Sequence, residues 1–273
     1  MKIPFSKPQP KRTLRIPARP DVPPLRSITV GALYRGARQG GDYFDYIAAG
    51  PRLLMLMLDI AGRREEALNI AAFVQETFRA SADLFAIDDV NESVALSQLM
   101  LEVNRAIIEA AGGVRCAPGI IASYNEVAGT LWYINAGHIP PLLKDSHGVN
   151  TLPASGVPLG LFSHATHDSN ICVMPEGSAL LLVSRGLVEA KAGGEEYGLK
   201  RVTEALAEAP LTDGQQVCVA IHESVRTFIE SRPKYRFVPG GSRTVGDEDP
   251  FSANDATTLA MVRASAKAAA TGQ

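Results

Sequence analysis

The spacing of apolar positions changes along the chain, and each change marks a different kind of element. Ile28–Arg35 is a β-prone run that leads through Gly40–Gly41 into Asp42–Tyr46. Leu53–Leu58 is an unbroken apolar run bounded by Gly50–Pro51 and Asp59. A run of that length without polar alternation predicts a central strand buried on both faces. The next two segments switch to helical spacing. Arg63–Arg79 carries Leu68, Ala71, Ala72, Val74 and Phe78 behind a charged first turn, and Asp89–Ala111 carries Val94, Leu96, Leu99, Met100, Val103 and Ile107 before Gly112–Gly113. Both predict amphipathic helices, the second stopped by glycine. Short β-prone runs follow at Ile120–Tyr124, Leu131–Ile134, Leu142–Leu143, Ile171–Val173 and Ala179–Val183, separated by Gly, Pro and Asn. Helical patterns return at Leu199–Ala209 and Gly214–Glu230, and Thr257–Val262 reads as a closing strand. Strands, a helix pair, more strands and a second helix pair predict an α+β layered sandwich rather than alternating βαβ units.

Composition narrows this picture in a few places. With 46% apolar and 21% charged residues over 273 positions, the chain is neither disordered nor a disulfide miniprotein. Residues 1–26 hold seven basic residues, one acid and seven prolines, which predicts a flexible basic tail without a long helix. Residues 27–265 are then one domain, with a mobile loop expected at 231–253 and a disordered end at 266–273. The net charge of −2 points to no nucleic-acid partner. Cys116, Cys172 and Cys218 are odd in number and far apart, so neither a disulfide framework nor a zinc site is indicated. With no apolar stretch of about 18 residues, the expectation is a cytoplasmic protein without a membrane partner.

Candidate chemistry is sparse. No Gly-x-Gly-x-x-Gly and no P-loop is present. Asp59 ends the buried strand, where a carboxylate must be paired, bound to a cation or used to cap the next helix. Asp42 and Asp45 follow Gly40–Gly41 and add oxygen donors suited to a hard cation. Asn135–Ala136–Gly137–His138 before Pro140–Pro141 reads as a sharp turn, with His138 a hydrogen-bonded turn residue.

In order along the chain, Gly40–Asp45 (GGDYFD), Leu58–Gly62 (LDIAG), Leu131–Leu143 (LWYINAGHIPPLL), Gly156–Phe162 (GVPLGLF), Leu180–Ala190 (LLLVSRGLVEA), Tyr197–Val202 (YGLKRV) and Asn254–Val262 (NDATTLAMV) resemble the SpoIIE-like branch of the PPM-type metal-dependent serine/threonine protein phosphatases. The resemblance runs from about Gly40 to Arg263. It implies two central β-sheets flanked by helix pairs, and aspartates that hold two Mn²⁺ or Mg²⁺ ions for hydrolysis of phosphoserine or phosphothreonine. Position by position, Asp42 and Asp59 match the first two metal-holding aspartates, with the Ile60 carbonyl as a further oxygen. The implied substrate is a phosphorylated regulatory protein such as an anti-sigma-factor antagonist.

The match then departs from the family pattern. The Thr-Asp-Gly position reads Ser184–Arg185–Gly186, and the Asp-Asp-x-Thr position reads Asn254–Asp255–Ala256–Thr257. Arg63–Arg64 stands where the family has Lys-Gly. Two of four expected carboxylates are therefore replaced, and Asp42, Asp59 and an inward Arg185 together leave one net negative charge. A guanidinium about 4 Å from a divalent ion is repelled by roughly 8 kcal/mol at an effective dielectric near 20. Arg185 must therefore turn outward or serve as the phosphate-binding cation, while Asn254 offers a carbonyl oxygen and Asp255 a carboxylate one register position away. Two functions follow from this: a metal-dependent phosphatase, or a pseudophosphatase that binds without hydrolysis.

Overall fold

The computed structural model describes residues 25–36, 41–231 and 255–264. Its elements, in chain order, are β1 (Ile28–Arg35), β2 (Asp42–Ala49), β3 (Arg52–Asp59), α1 (Arg64–Ala80), α2 (Ala82–Phe85) and α3 (Glu92–Ala111). They continue with β4 (Gly119–Asn125), β5 (Thr130–Ala136), β6 (Leu142–Asp145), β7 (Gly148–Thr151), β8 (Asn170–Val173) and β9 (Ala179–Val183). The last third holds α4 (Arg185–Val188), β10 (Lys191–Ala192), β11 (Glu195–Glu196), α5 (Gly198–Glu208), α6 (Gly214–Glu230) and β12 (Ala256–Arg263).

Two antiparallel sheets of five strands stack face to face, in the orders β1-β12-β9-β6-β7 and β2-β3-β4-β5-β8. The unbroken apolar run of β3 is explained by where its two faces go. Leu53, Met55 and Met57 enter the layer between the sheets with Ile120, Leu131, Leu180, Leu182, Leu259 and Met261. Leu54, Leu56 and Leu58 point the other way, onto Ile70, Val74 and Phe78 of α1 and Leu96, Leu99 and Val103 of α3. With successive side chains on opposite faces, a strand covered on both sides has no position left for a polar residue. The outer face of the first sheet is covered in the same manner by Val202 and Leu206 of α5 and Val217, Ile221 and Val225 of α6. The result is a helix–sheet–sheet–helix sandwich, as the α+β reading expects.

Several boundaries differ from the sequence expectation for local reasons. The second helix begins at Glu92 rather than Asp89, because the Asn91 side chain caps it by accepting the Val94 N–H at 3.2 Å. Asp42–Ala49 is a full strand, since pairing with β3 supplies what its weakly alternating sequence lacks. Leu25, assigned to the tail by composition, is buried with Ile28 between the sheets. The rest of the expected tail up to residue 24, the expected loop from 232 to 253 and the expected end at 266–273 lie outside the described residues. No helix among the described residues is long and apolar enough to cross a membrane.

Candidate active site at one end of the sandwich

Asp42 opens β2 and Asp59 closes β3, and the antiparallel register makes them direct partners. The backbone around them is fixed on both sides. The Ile60 N–H donates to the Gly41 carbonyl at 3.0 Å, and the Asp59 N–H donates to the Pro118 carbonyl at 2.9 Å. A Cβ on Gly41 would lie 1.8 Å from the Ile60 carbonyl oxygen, so only glycine lets the two strand ends approach this closely. The Ile60 carbonyl thus lies against Gly41, beside the facing carboxylates.

The other sheet supplies the groups that orient Asp42. Thr257 of β12 donates its hydroxyl to Asp42 Oδ2 at 2.9 Å. Ser184, directly after β9, accepts the Thr257 N–H on its Oγ at 3.0 Å and hydrogen-bonds the Asp42 carboxyl. Even so, burial pushes the Asp42 carboxyl up to about 7; the two hydroxyls pull against that, and the charges of Asp59 and Asp255 add to it. Burial also raises Asp59, and Arg185 partly offsets it. Each carboxylate is held where its charge is expensive, with too little positive charge beside it.

Arg185 opens α4 and, among the described residues, is the guanidinium placed at Asp59, with Nε 3.6 Å from Asp59 Oδ2 and 3.8 Å from Glu189 Oε1. That spacing is an ion pair without a hydrogen bond, and the side chain is 54% exposed. Arg185 is therefore both turned toward Asp59 and free to reach outward. Asp255, just before β12, is buried and its charge acts on Asp42. Among the described residues no group of three His, Cys, Asp or Glu is placed to hold a metal ion. Asn254 lies outside the described residues.

Asp45 does not join the site. Three residues from Asp42 in an alternating strand, it faces the helix layer, where it is fully buried. There Arg79 donates to it twice, at 2.8 and 2.9 Å, and Tyr43 and the Tyr46 N–H add two more bonds. Its sequence neighbourhood suggested a cation ligand, but its partner is a helix arginine. The helix-capping alternative for Asp59 fails as well, because the cap residue of α1 is Arg63, without a side-chain cap bond. Ser184 and Thr257 were inside quoted motifs, yet their role as Asp42 donors depends on contact between the two sheets.

The family profile of stage II sporulation protein E (SpoIIE) matches residues 49–234. The chain belongs to the SpoIIE family. Solved structures agree on the fold of this SpoIIE-type domain. The RsbU and RsbW domains of a Mycobacterium tuberculosis protein share 21% identity with a TM-score of 0.65, over 88% of this chain and 62% of that one. The PP2C phosphatase domain of SpoIIE from Bacillus subtilis, solved with a fragment of its regulatory domain, shares 15% identity with a TM-score of 0.62, over 92% and 64%. The catalytic domain of the serine/threonine phosphatase PstP, in complex with two manganese ions, shares 12% identity with a TM-score of 0.58, over 87% and 100%. This chain thus spans under two thirds of the first two. The fold is the one these PP2C and serine/threonine phosphatase domains share. The profile match takes in Asp59, His138 and Arg185 and leaves Asp42 and Asn254–Asp255 outside.

Proposed function

We propose that this SpoIIE-type domain hydrolyses phosphoserine or phosphothreonine on a regulatory protein with a divalent ion held by Asp42 and Asp59. The observation that carries the reading is the Asp42–Asp59 register pair with Arg185 3.6 Å from it. Two facing carboxylates, both raised by burial, form a donor set for one hard divalent cation, completed by water. They do not form a two-ion cage. When bound, Mn²⁺ or Mg²⁺ supplies charge neutralisation for the phosphate and lowers the pKa of a bound water.

The protein's own residues do the rest of the positioning. Ser184 and Thr257 hold the Asp42 carboxylate in one orientation. Arg185 takes the place of a second cation: its planar fork matches two phosphate oxygens, and its exposure lets it meet a phosphate carried on a protein. That the Mycobacterium tuberculosis match is a structure of an RsbU and an RsbW domain supports a protein partner; an anti-sigma-factor antagonist fits that setting. The free cysteines suit a reducing, cytoplasmic setting.

The test is Mn²⁺ titration by calorimetry, followed by turnover of a generic phosphoester. Mn²⁺-dependent hydrolysis that Asp59→Asn abolishes and Arg185→Ala slows mainly through KM supports the reading. Hydrolysis indifferent to Asp59→Asn refutes it, and phosphopeptide binding without turnover converts it to the pseudophosphatase.

A further inference from the structure

β8 closes the sheet β2-β3-β4-β5-β8 and, among the described strands, is paired on one side only. Its ladder with β5 sets Trp132 opposite Ile171 and Thr130 opposite Val173. The same register continues to Met174, whose N–H donates to the Gly129 carbonyl at 2.9 Å. In an antiparallel ladder, successive residues turn their backbone groups alternately toward the partner and away from it. Met174 faces β5, so Cys172 and Asn170 face it too, and the N–H and C=O groups of Ile171 and Val173 point outward from the sheet. Their side chains are exposed as well, at 53% and 64%. Val94, also exposed, follows Ser93 of α3, which hydrogen-bonds Ser169 just before β8 at 2.7 Å. An open edge carrying two β-branched apolar side chains is a surface that folded proteins ordinarily cover.

Both ends of this edge are acidic, with exposed Asp168 ahead of Ile171 and exposed Glu176 beyond Val173. The pattern Asp168-x-x-Ile171-x-Val173-x-x-Glu176 has a counterpart of opposite charge in the chain itself, Lys11-x-x-Leu14-x-Ile16-x-x-Arg19. Paired antiparallel, Ile16 meets Ile171, Leu14 meets Val173, Arg19 comes to Asp168 and Lys11 to Glu176. The backbone phase fits too. Leu14 and Ile16 face the open groups of Val173 and Ile171, which leaves Pro17, with no N–H to give, on the side turned away. A second copy of β8 fits less well: the two-fold pairing that sets Ile171 against Val173 also sets Asp168 against Glu176, like charges opposite one another. The chain also enters the domain close by. Ser27 is fastened through its N–H and hydroxyl to Glu126 in the β4–β5 turn, at 2.6 and 2.8 Å, and that turn carries Gly129, the partner of Met174. Residues 17–24 link Ile16 to Leu25, a reach of up to about 30 Å, against roughly 7 Å between Ile171 and Val173.

We infer that residues 11–19 of this chain dock on β8 as a further antiparallel strand, with Leu14 and Ile16 covering the exposed pair and Lys11 and Arg19 set against Glu176 and Asp168. Main-chain hydrogen bonds to Ile171 and Val173 hold the added strand, and the alternate side chains and charged ends fix its register. The apolar contact is small, so the docking is reversible, and its exposed charge pairs make it weaken as salt is added. The surface lies at the opposite edge of the sheet from β2, which carries Asp42, so the inference stands apart from the metal and phosphate chemistry of the site.

Amide-resolved hydrogen exchange of the full-length protein by NMR reads this edge directly. In wild type the Ile171 and Val173 amides should exchange about tenfold more slowly than in Leu14→Asp/Ile16→Asp, whereas Cys172 and Met174, turned toward β5, keep their rates in both proteins and show that β8 itself stays folded. Lys11→Glu/Arg19→Glu should lose the same protection, and adding Asp168→Lys/Glu176→Lys to that variant should restore it. Ile171 and Val173 amides that exchange freely in wild type, or protection that survives both variants of the 11–19 segment, overturn the proposal. Protection that rises with protein concentration overturns it as well, because it assigns the edge to a second copy. A charge-reversed quadruple variant that stays unprotected removes the pairing of Lys11 and Arg19 with Glu176 and Asp168, and with it the register.

Discussion

Asp42→Asn should stabilise the metal-free protein, and the gain should depend on pH in a defined way. An unfolded Asp42 ionises near 3.8, whereas in the folded domain burial keeps the carboxyl protonated up to about 7. Below the lower value both states are protonated and the group contributes nothing to the difference. Between the two, the unfolded chain loses its proton while the folded one keeps it, so wild-type stability falls as the pH rises. Above the upper value the loss is complete. At 1.36 kcal/mol per pH unit the full shift corresponds to on the order of 4 kcal/mol, and solvent reaching the partly exposed residue reduces the expectation to roughly 2 to 3 kcal/mol. Asparagine keeps an oxygen for the Ser184 and Thr257 hydroxyls and never ionises. Urea denaturation of both proteins across this range should show little difference near pH 4, a gap that widens with pH, and a plateau above about 7. For a domain of this size that gap corresponds to about 2 to 4 °C in Tm per kcal/mol. Added Mn²⁺ should reverse the order, raising wild-type Tm and leaving the variant nearly unmoved. A gap that does not change with pH, or an asparagine variant less stable than wild type near pH 8, would refute the reasoning.

Two further predictions test the framework that holds the site. Gly41→Ala forces a Cβ to within 1.8 Å of the Ile60 carbonyl, so the strand ends must separate; Mn²⁺ binding should be lost by calorimetry even if the variant still melts cooperatively. Arg52 is buried, with Nε 2.8 Å from Glu92 Oε1, and it also donates to the carbonyls of Phe85, Ile87 and Asp88. Arg52→Ala strands the Glu92 charge among Ser123 and Asn125 and should cost about 3–5 kcal/mol by urea denaturation.

How much of this was legible in the sequence differs by residue. The unbroken apolar run of β3 fixed a strand covered on both faces, because period-two geometry leaves no other reading of Leu53–Leu58. Helical spacing placed α1, α3, α5 and α6 to within a few residues, since each buries one face and leaves its caps to local chemistry. The collinear motifs, which no periodicity contains, carried the family and brought Asp42, Asp59 and Arg185 into view. What they left open was settled by strand pairing. Asp42 and Asp45 share a segment and a residue type, yet the pleat sends one to the site and the other to Arg79 beneath α1. Ser184 and Thr257 act on Asp42 only because β9 and β12 stack against the sheet that carries β2. His138 looked like an ordinary turn residue, and its Nδ1, 3.1 Å from the Ile139 carbonyl, makes it one. Its burial exists only after folding, because burial is a property of position in space rather than of order along the chain.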